Sequence, residues 1–322
     1  MRGRGKLSQD RPRKMPVLVK YPLPSTGPED VLVDQDGLLL SGTADGWIYE
    51  INPGTGAVTR LFNTGGIPLG LSLMPEGRLL VCDAKRGLLS IDRTNLKIDI
   101  LCDRIEDEPL TFCNNADIAE DGRIYFSESS RRHGYHQSTR DILQHIPTGA
   151  FFCCSPDGNV ERIAAELYFA NGVCVAPDQS FVLIAETGAA RIMKVMLSGA
   201  DAGRISPFAE NLAGLPDNLS LGSDGLVWVA LVSPATEQLS KLQAAPYWLR
   251  KLISLLPASI RPSAPPFLRV QAYNFDGERI HDFEGDGAAF NMTTGVREHK
   301  GVVYLSSIAQ EAIASFEVDP AV

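Results

Sequence analysis

FCNNADIAEDGRIYFSESS, residues 112–130, carries the pattern that decides the fold: a short apolar stretch, a turn at Asp121-Gly122, and a β-rich stretch from Arg123 onward. Asp-Gly between apolar runs is a strong hairpin signal, because tight hairpin turns need residues that accept positive φ. The unit recurs six times. Its landmarks are Asp36-Gly37, Glu76-Gly77, Asp121-Gly122, Asp178-Gln179, Asp224-Gly225 and Lys300-Gly301, each followed by strand-like residues such as LLLSG from Leu38, FVLIAET from Phe181 and VVYLSS from Val302. Second turns fall at Asn52-Pro53-Gly54, Asp92 to Asn95, Ser155 to Gly158, Ser198-Gly199 and Asp276-Gly277, so each unit reads as a four-stranded antiparallel meander. Successive landmarks lie 40, 45, 57, 46 and 76 residues apart, which is the spacing of propeller blades with insertions in two of them.

The expected fold is therefore all-β, a six-bladed β-propeller. The sixth unit ends at Asp319-Pro-Ala-Val322 without its fourth strand, and PVLVKYPL at 16–23 has strand character. This N-terminal strand is expected to complete the last blade and close the ring, which removes an exposed sheet edge. Residues 1–14, with six Arg and Lys against Asp10, read as a basic solvated tail, and residues 15–322 as a single domain.

Composition agrees with a folded, loop-rich protein: 322 residues, 44% hydrophobic, 21% charged, with 29 Gly and 21 Pro. A net charge of -9 disfavours a nucleic-acid partner, since a phosphate backbone selects a basic face. No apolar run is long enough for a bilayer span and no secretory h-region opens the chain, so the expected location is cytoplasmic. The six cysteines show no metal-ligand spacing and read as buried thiols, with Cys153 and Cys154 pointing to opposite faces of one strand. No GxSxG elbow, Walker loop or GxGxxG signature is present.

Counting eight residues back from the second residue of each landmark gives Glu29, Leu69, Asn114, Asn171, Asp217 and Thr293. In a propeller this position opens the innermost strand, so these residues converge at one end of the central channel. The two carboxylates and two amides among them form a hard oxygen set that suits Ca²⁺ better than Zn²⁺. Asn and Asp at strand starts also serve turns, but turn chemistry does not explain four matches in one register.

These residues carry a resemblance. FCNNADIAEDGRIYFSESS, FANGVCVAPDQSFVLIAETGAARI at 169–192, GLPDNLSLGSDGLVWVAL at 214–231 and VREHKGVVYLSS at 296–307 are similar to motifs of the strictosidine-synthase-like branch. That branch belongs to the calcium-dependent six-bladed superfamily that includes gluconolactonase, senescence marker protein and paraoxonase. The resemblance implies a Ca²⁺ held by Glu29, Asn114, Asn171 and Asp217. Asn115 and Asn218, beside two of these, are candidates for substrate contact or a further ligand. Where the alkaloid-forming synthase has a catalytic Glu, this chain has Thr294, which disfavours bond-forming chemistry of that type.

The two long insertions, Ser129 to Gly149 and Ser233 to about Phe267, fall in connections that return to the metal end. Loops of this length often cover sites. The second reads as a short amphipathic helix around Tyr247, Trp248, Leu249 and Leu252. It is open whether this helix packs on the propeller, covers the substrate or touches a membrane, the last being least favoured. Tyr135 and Trp248 are candidates for substrate contact. His133, His136 and His145 are each either solvated loop residues or groups near the metal, and His133 and His136 join Asp217 as catalytic candidates. His281 is expected at the surface and His299 away from the metal. The expected activity is hydrolysis of a small lactone or related ester. The alternatives are a non-catalytic small-molecule-binding propeller with a structural metal, or a synthase-type bond-forming enzyme.

Overall fold

The computed structural model describes residues 11–257, 259–261 and 264–318. Six antiparallel sheets follow one another along the chain. Blade one comprises Leu32–Val33, Leu39–Gly42, Trp47–Ile51 and Val58–Asn63, and blade two Pro68–Leu73, Leu79–Asp83, Gly87–Ile91 and Ile98–Cys102. Blades three and four start their innermost strands at Cys113 and Ala170, and blade five runs from Gly214 to Glu284. Blade six takes Thr293–His299, Val302–Ser307 and Ala312–Glu317 from the end of the chain and Val19–Pro22 from its beginning, with Val19 opposite Ser315 and Tyr21 opposite Ile313. The ring is closed by the N-terminal strand, as the sequence pattern requires.

Strands of a propeller are covered on both faces, which is why they read as continuous apolar runs rather than alternating ones. In blade three Tyr125 and Phe151 pack toward blade four while Phe126 and Phe152 pack toward blade two. Each pair of adjacent blades shares one apolar core, and the core between blades six and one joins Tyr304 and Ile313 to Leu39 and Ile51. Cys153 and Cys154 separate into two different cores, and all six cysteines are buried and free.

Three expectations change. Residues 1–10 and 319–322 lie outside the described residues, but Arg13–Lys14 do not behave as solvated tail. They pair in parallel with Phe283–Glu284 on the outer edge of blade five, Arg13 lies 5.0 Å over the Phe283 ring, and Met15 is buried in the core between blades five and six. His281, expected at the surface, is 5% exposed and lies against both Trp228 and Phe283, which also face each other. Burial of its ring pushes its pKa down. A two-strand ribbon, Arg104–Ile105 with Glu108–Pro109, joins blades two and three and has no counterpart in the repeat.

Among the described residues the helices are confined to the two insertions: α1 (Ser138–Gln144), preceded by a 3-10 turn at Tyr135–Gln137, and α2 (Glu237–Gln243) and α3 (Tyr247–Ser254), apart from a single 3-10 turn at Thr187–Ala189. None is long and apolar enough to cross a membrane. The insertions pack on each other. Gln144 Nε2 donates to Ser254 Oγ at 3.0 Å, and Arg250 donates to the His145 carbonyl at 2.8 Å. Together they form a cap.

Candidate functional site

The innermost strands of blades two to six share a defect that shapes the channel. Each breaks register with its neighbour near its first residues, between Pro68 and Leu71, Cys113 and Ala116, Ala170 and Val173, Pro216 and Leu219, and Thr293 and Val296. A bulge of this kind re-aims side chains and frees backbone groups. It lets adjacent innermost strands approach closely enough that a Cβ on Gly172 would sit 2.3 Å from the Leu219 amide nitrogen, and one on Gly70 2.7 Å from the Asn115 Cα. Amides on the inner edge of these strands are taken up by the preceding blade: Leu71 donates to Asp30 Oδ2, Val173 to Asn115 Oδ1, and Val175 to Asp117 Oδ2, at 2.8–3.0 Å.

This packing brings Glu29, Asn114, Asn171 and Asp217 together, each no more than 6% exposed. Asn114 Nδ2 donates to Ser129 Oγ at 2.8 Å and Asn171 Nδ2 to Thr187 Oγ1 at 3.1 Å. Both hydroxyls pass the bond on, Ser129 to the Ala170 carbonyl and Thr187 to the Pro216 carbonyl. The relays fix which end of each amide faces away from the site. The opposite ends, Asn114 Oδ1 and Asn171 Oδ1, are buried with no hydrogen-bond partner, and so is Asp217 Oδ1. Three orphaned acceptors lie beside the Glu29 carboxylate, an arrangement that a bound cation would satisfy, since a buried acceptor without a donor costs about 1–3 kcal/mol.

Electrostatics agree. Burial, then the charges of Asp217 and Asp30, raise the Glu29 carboxyl well above its ordinary range, while Asn218 Nδ2, 3.3 Å from Oε2, works against the rise. Asp217 is pushed up to about 8 by burial, with the neighbouring Asn171 side chain working against the rise and the charge of Asp30 adding to it. Like charges held together without solvent are unfavourable unless a counter-charge joins them. Among the described residues no three His, Cys, Asp or Glu side chains are placed to hold a metal ion by themselves, so a cation here would depend on the two amides. An all-oxygen set of two carboxylates and two carbonyls fits Ca²⁺.

The remaining predicted residues divide. Asn115 and Asn218 are buried beside the ring and bonded to each other, Asn115 Nδ2 to Asn218 Oδ1 at 3.0 Å. Asn115 also lines a channel cavity of about 310 Å³ with Asp30, Asp117 and Arg297. Tyr135 sits over the ring: burial and the charges of Glu29 and Asp217 push its phenol to about 12. Its ring meets Phe112 edge-on at 5.9 Å, in an apolar cluster with Ile67, Leu69 and Phe169. Leu69, an exception in the register count, is thus part of an apolar wall.

His133 and His136 are not brought to the carboxylates. The His133 ring nitrogens face Gln137 at 3.1 Å and Gln144 at 3.5 Å, and His136 is exposed against the outer side of Tyr135. Trp248 does not join the site either. It is 67% exposed, because α3 packs on α1 through the face that carries the fully buried Ser254. His145 stacks on Tyr168 at 4.2 Å, and burial and Arg250 lower it to about 4.

The hydroxyls escaped sequence reading. Ser129 and Thr187 orient the amides, while Thr294 and Ser306 both donate to the Glu29 carbonyl, at 2.6 and 2.7 Å. Ser129, Thr187 and Ser306 lie at or just beyond the end of the second strand of their blades, in SESS, AET and LSS, and that recurrence was the available signal.

The sequence profile described as SMP-30/Gluconolactonase/LRE-like region matches residues 33–267. The chain is 33% identical over 279 residues to the Arabidopsis thaliana protein strictosidine synthase-like 6, a match covering 84% of this chain and 73% of the relative. Among solved structures, a gluconolactonase from Xanthomonas campestris superposes with a TM-score of 0.69 at 15% identity, over 94% of this chain and 89% of its own. A calcium-binding protein, regucalcin, from Agrobacterium tumefaciens superposes with a TM-score of 0.64 at 14% identity, over 92% and 91%. With its six blades, its profile match and its relative at one third identity, the chain belongs to the SMP-30/gluconolactonase/LRE-like family.

Proposed function

We propose that this protein is a calcium-dependent hydrolase of lactones or related esters. The observation that carries the reading is the set of three buried, unpartnered oxygens on Asn114, Asn171 and Asp217, beside Glu29 and with both amides tied from behind. The gluconolactonase and calcium-binding neighbours support the same chemistry. When bound, a calcium ion supplies Lewis-acid polarisation of the ester carbonyl, an effect of several kcal/mol on developing negative charge.

The chain's own groups supply the rest. Asp217 faces the site with a free oxygen and is the group placed to orient water and accept its proton. Tyr135 is neutral at physiological pH and has its phenol toward the carboxylates, so it can donate a hydrogen bond to an ester oxygen. Ile67, Leu69, Phe112 and Phe169 form an apolar wall, which favours a neutral, apolar acyl or alkyl part over a polyhydroxylated one. Synthase-type chemistry finds no acid or base at Thr294, whose hydroxyl is spent on the Glu29 carbonyl.

The test is hydrolysis of an aliphatic γ-lactone, a sugar lactone and phenyl acetate with added calcium and again after chelation. Turnover that disappears on chelation, returns with calcium and prefers the apolar lactone is expected. Turnover indifferent to chelation would refute the metal's role, and calcium binding without turnover on any substrate would make the protein a binding propeller.

A further inference from the structure

Asn115 and Asn218 each directly follow a residue of the oxygen set, Asn114 and Asp217. In a regular strand consecutive side chains point to opposite faces. The register breaks between Cys113 and Ala116 and between Pro216 and Leu219 let both members of each pair face inward. Both asparagines are buried, and each amide is engaged at both ends.

The direction of these bonds follows from one fixed donor. The Val173 backbone N–H, on the innermost strand of blade four, can only donate, so the atom 3.0 Å from it is Asn115 Oδ1. Asn115 Nδ2 is then the end that faces Asn218, which answers with Oδ1 at 3.0 Å. Asn218 Nδ2 is left toward Glu29 Oε2, at 3.3 Å. Turning either amide over would set one N–H group against another. The chain of bonds runs from blade four through blades three and five to blade one, and it ends by giving an N–H to one oxygen of the Glu29 carboxylate. The Glu29 carbonyl is already held by Thr294 and Ser306, so both ends of this residue are fixed.

Packing leaves the two amides little room to turn. A Cβ on Gly70 would sit 2.7 Å from Asn115 Nδ2, and one on Gly172 2.7 Å from the Asn218 carbonyl carbon. The Asn115 backbone N–H donates to Ser127 Oγ at 3.2 Å, and that hydroxyl donates to the Asn171 carbonyl at 2.7 Å. Asp30 supplies a comparison within the chain. It follows Glu29 as Asn115 follows Asn114, and it accepts the Leu71 amide as Asn115 accepts that of Val173. A carboxylate therefore serves the bond between blades, and what the amide at position 115 adds is the donor to Asn218.

We propose that Asn115 and Asn218 are positioning residues, a strut of two amides that aims the Glu29 carboxylate at the cation and keeps Asn218 Oδ1 turned away from it. The strut rests on the metal reading above, and it makes neither asparagine a metal ligand or a substrate contact.

The test is a double-mutant cycle on calcium affinity, measured by calorimetry with Asn115→Ala, Asn218→Ala and the double variant. Each single substitution should weaken binding about 10- to 100-fold. The double variant should match the weaker single within about twofold, because both residues act through Glu29. Crystals of the wild type grown in calcium need no variant: the ion should contact Glu29, Asn114, Asn171 and Asp217, with Asn218 Oδ1 still on Asn115. Three results would overturn the strut and leave the metal reading standing: losses that multiply in the double variant, an Asn115→Ala protein that binds calcium as wild type does but shows a raised KM, or Asn218 Oδ1 in contact with the ion. No calcium binding by the folded wild type would overturn the metal reading and the strut with it.

Discussion

Replacing Asp217 by Asn separates the two jobs of this carboxylate, because the substitution acts with opposite signs in the metal-free and metal-bound protein. Without a cation, burial and the charge of Asp30 raise Asp217 from 3.8 to about 8. At pH 8 the folded chain then carries a penalty of up to about 5 kcal/mol for a group that ionises freely when unfolded, at 1.36 kcal/mol per pKa unit. Asn keeps the shape and removes the charge. If relaxation of the channel leaves a third of the penalty, about 2 kcal/mol, the variant gains roughly 3 °C in melting temperature at this chain length. The assay is thermal unfolding of wild type and variant at pH 8, in chelator and in millimolar calcium. Wild type should be stabilised by calcium. Asp217→Asn should melt higher than wild type in chelator and lose most of the calcium increment. A variant that melts lower in chelator yet keeps the full increment would refute the reasoning, since Asp217 would then be a structural acceptor rather than a ligand.

Other outcomes follow from the same geometry. Thr187→Val removes the hydroxyl that fixes the Asn171 amide, so calcium affinity measured by calorimetry should fall about 10- to 100-fold, with a drop of a few degrees in melting temperature in chelator because the Pro216 carbonyl and Asn171 Nδ2 also lose their partner. Gly172→Ala drives a Cβ into the Leu219 backbone at 2.3 Å, and since backbone on both sides resists, it should cost several kcal/mol and be read as a large drop in melting temperature or loss of soluble protein. In chelator, stability should fall as pH rises: the folded state holds the Asp217 proton up to about pH 8 while the unfolded state releases it near 4. Buried neutral His145, lowered to about 4, acts in the opposite direction below about pH 6.5. The fall is therefore clearest between pH 6.5 and 8, at about 2 kcal/mol by denaturant titration, and calcium should suppress it.

What the sequence made legible was whatever recurs at fixed spacing. Six turns set the blades, and a count of eight residues back from each turn found Glu29, Asn114, Asn171 and Asp217, because each blade starts its innermost strand at the same place. Features that depend on contacts between blades were hidden. Ser129 and Thr187 each hold an amide of their own blade and pass the bond to the next blade, and the only trace of this in the sequence is a hydroxyl recurring at the end of the second strand. Trp248 illustrates a different limit: an amphipathic helix shows its two faces in the sequence, but only packing against α1 decides which face turns inward. His281 follows the same logic, since a polar residue in an edge strand reads as exposed until Arg13–Lys14 and Met15 are seen to cover that edge. The basic composition of the N-terminus concealed this pairing, which rests on backbone hydrogen bonds and on Arg13 over Phe283 rather than on charge.

The central claim is that one cation, held by Glu29, Asn114, Asn171 and Asp217, is both bound and used. It is tested most directly by titrating calcium into the metal-free protein while following heat of binding and phenyl acetate or γ-lactone hydrolysis on the same samples, with Asn171→Ala in parallel. One calcium per chain is expected, with hydrolysis that rises with occupancy along the same curve and loss of both in Asn171→Ala. Hydrolysis that precedes calcium binding, or that survives in Asn171→Ala after binding is lost, would contradict it.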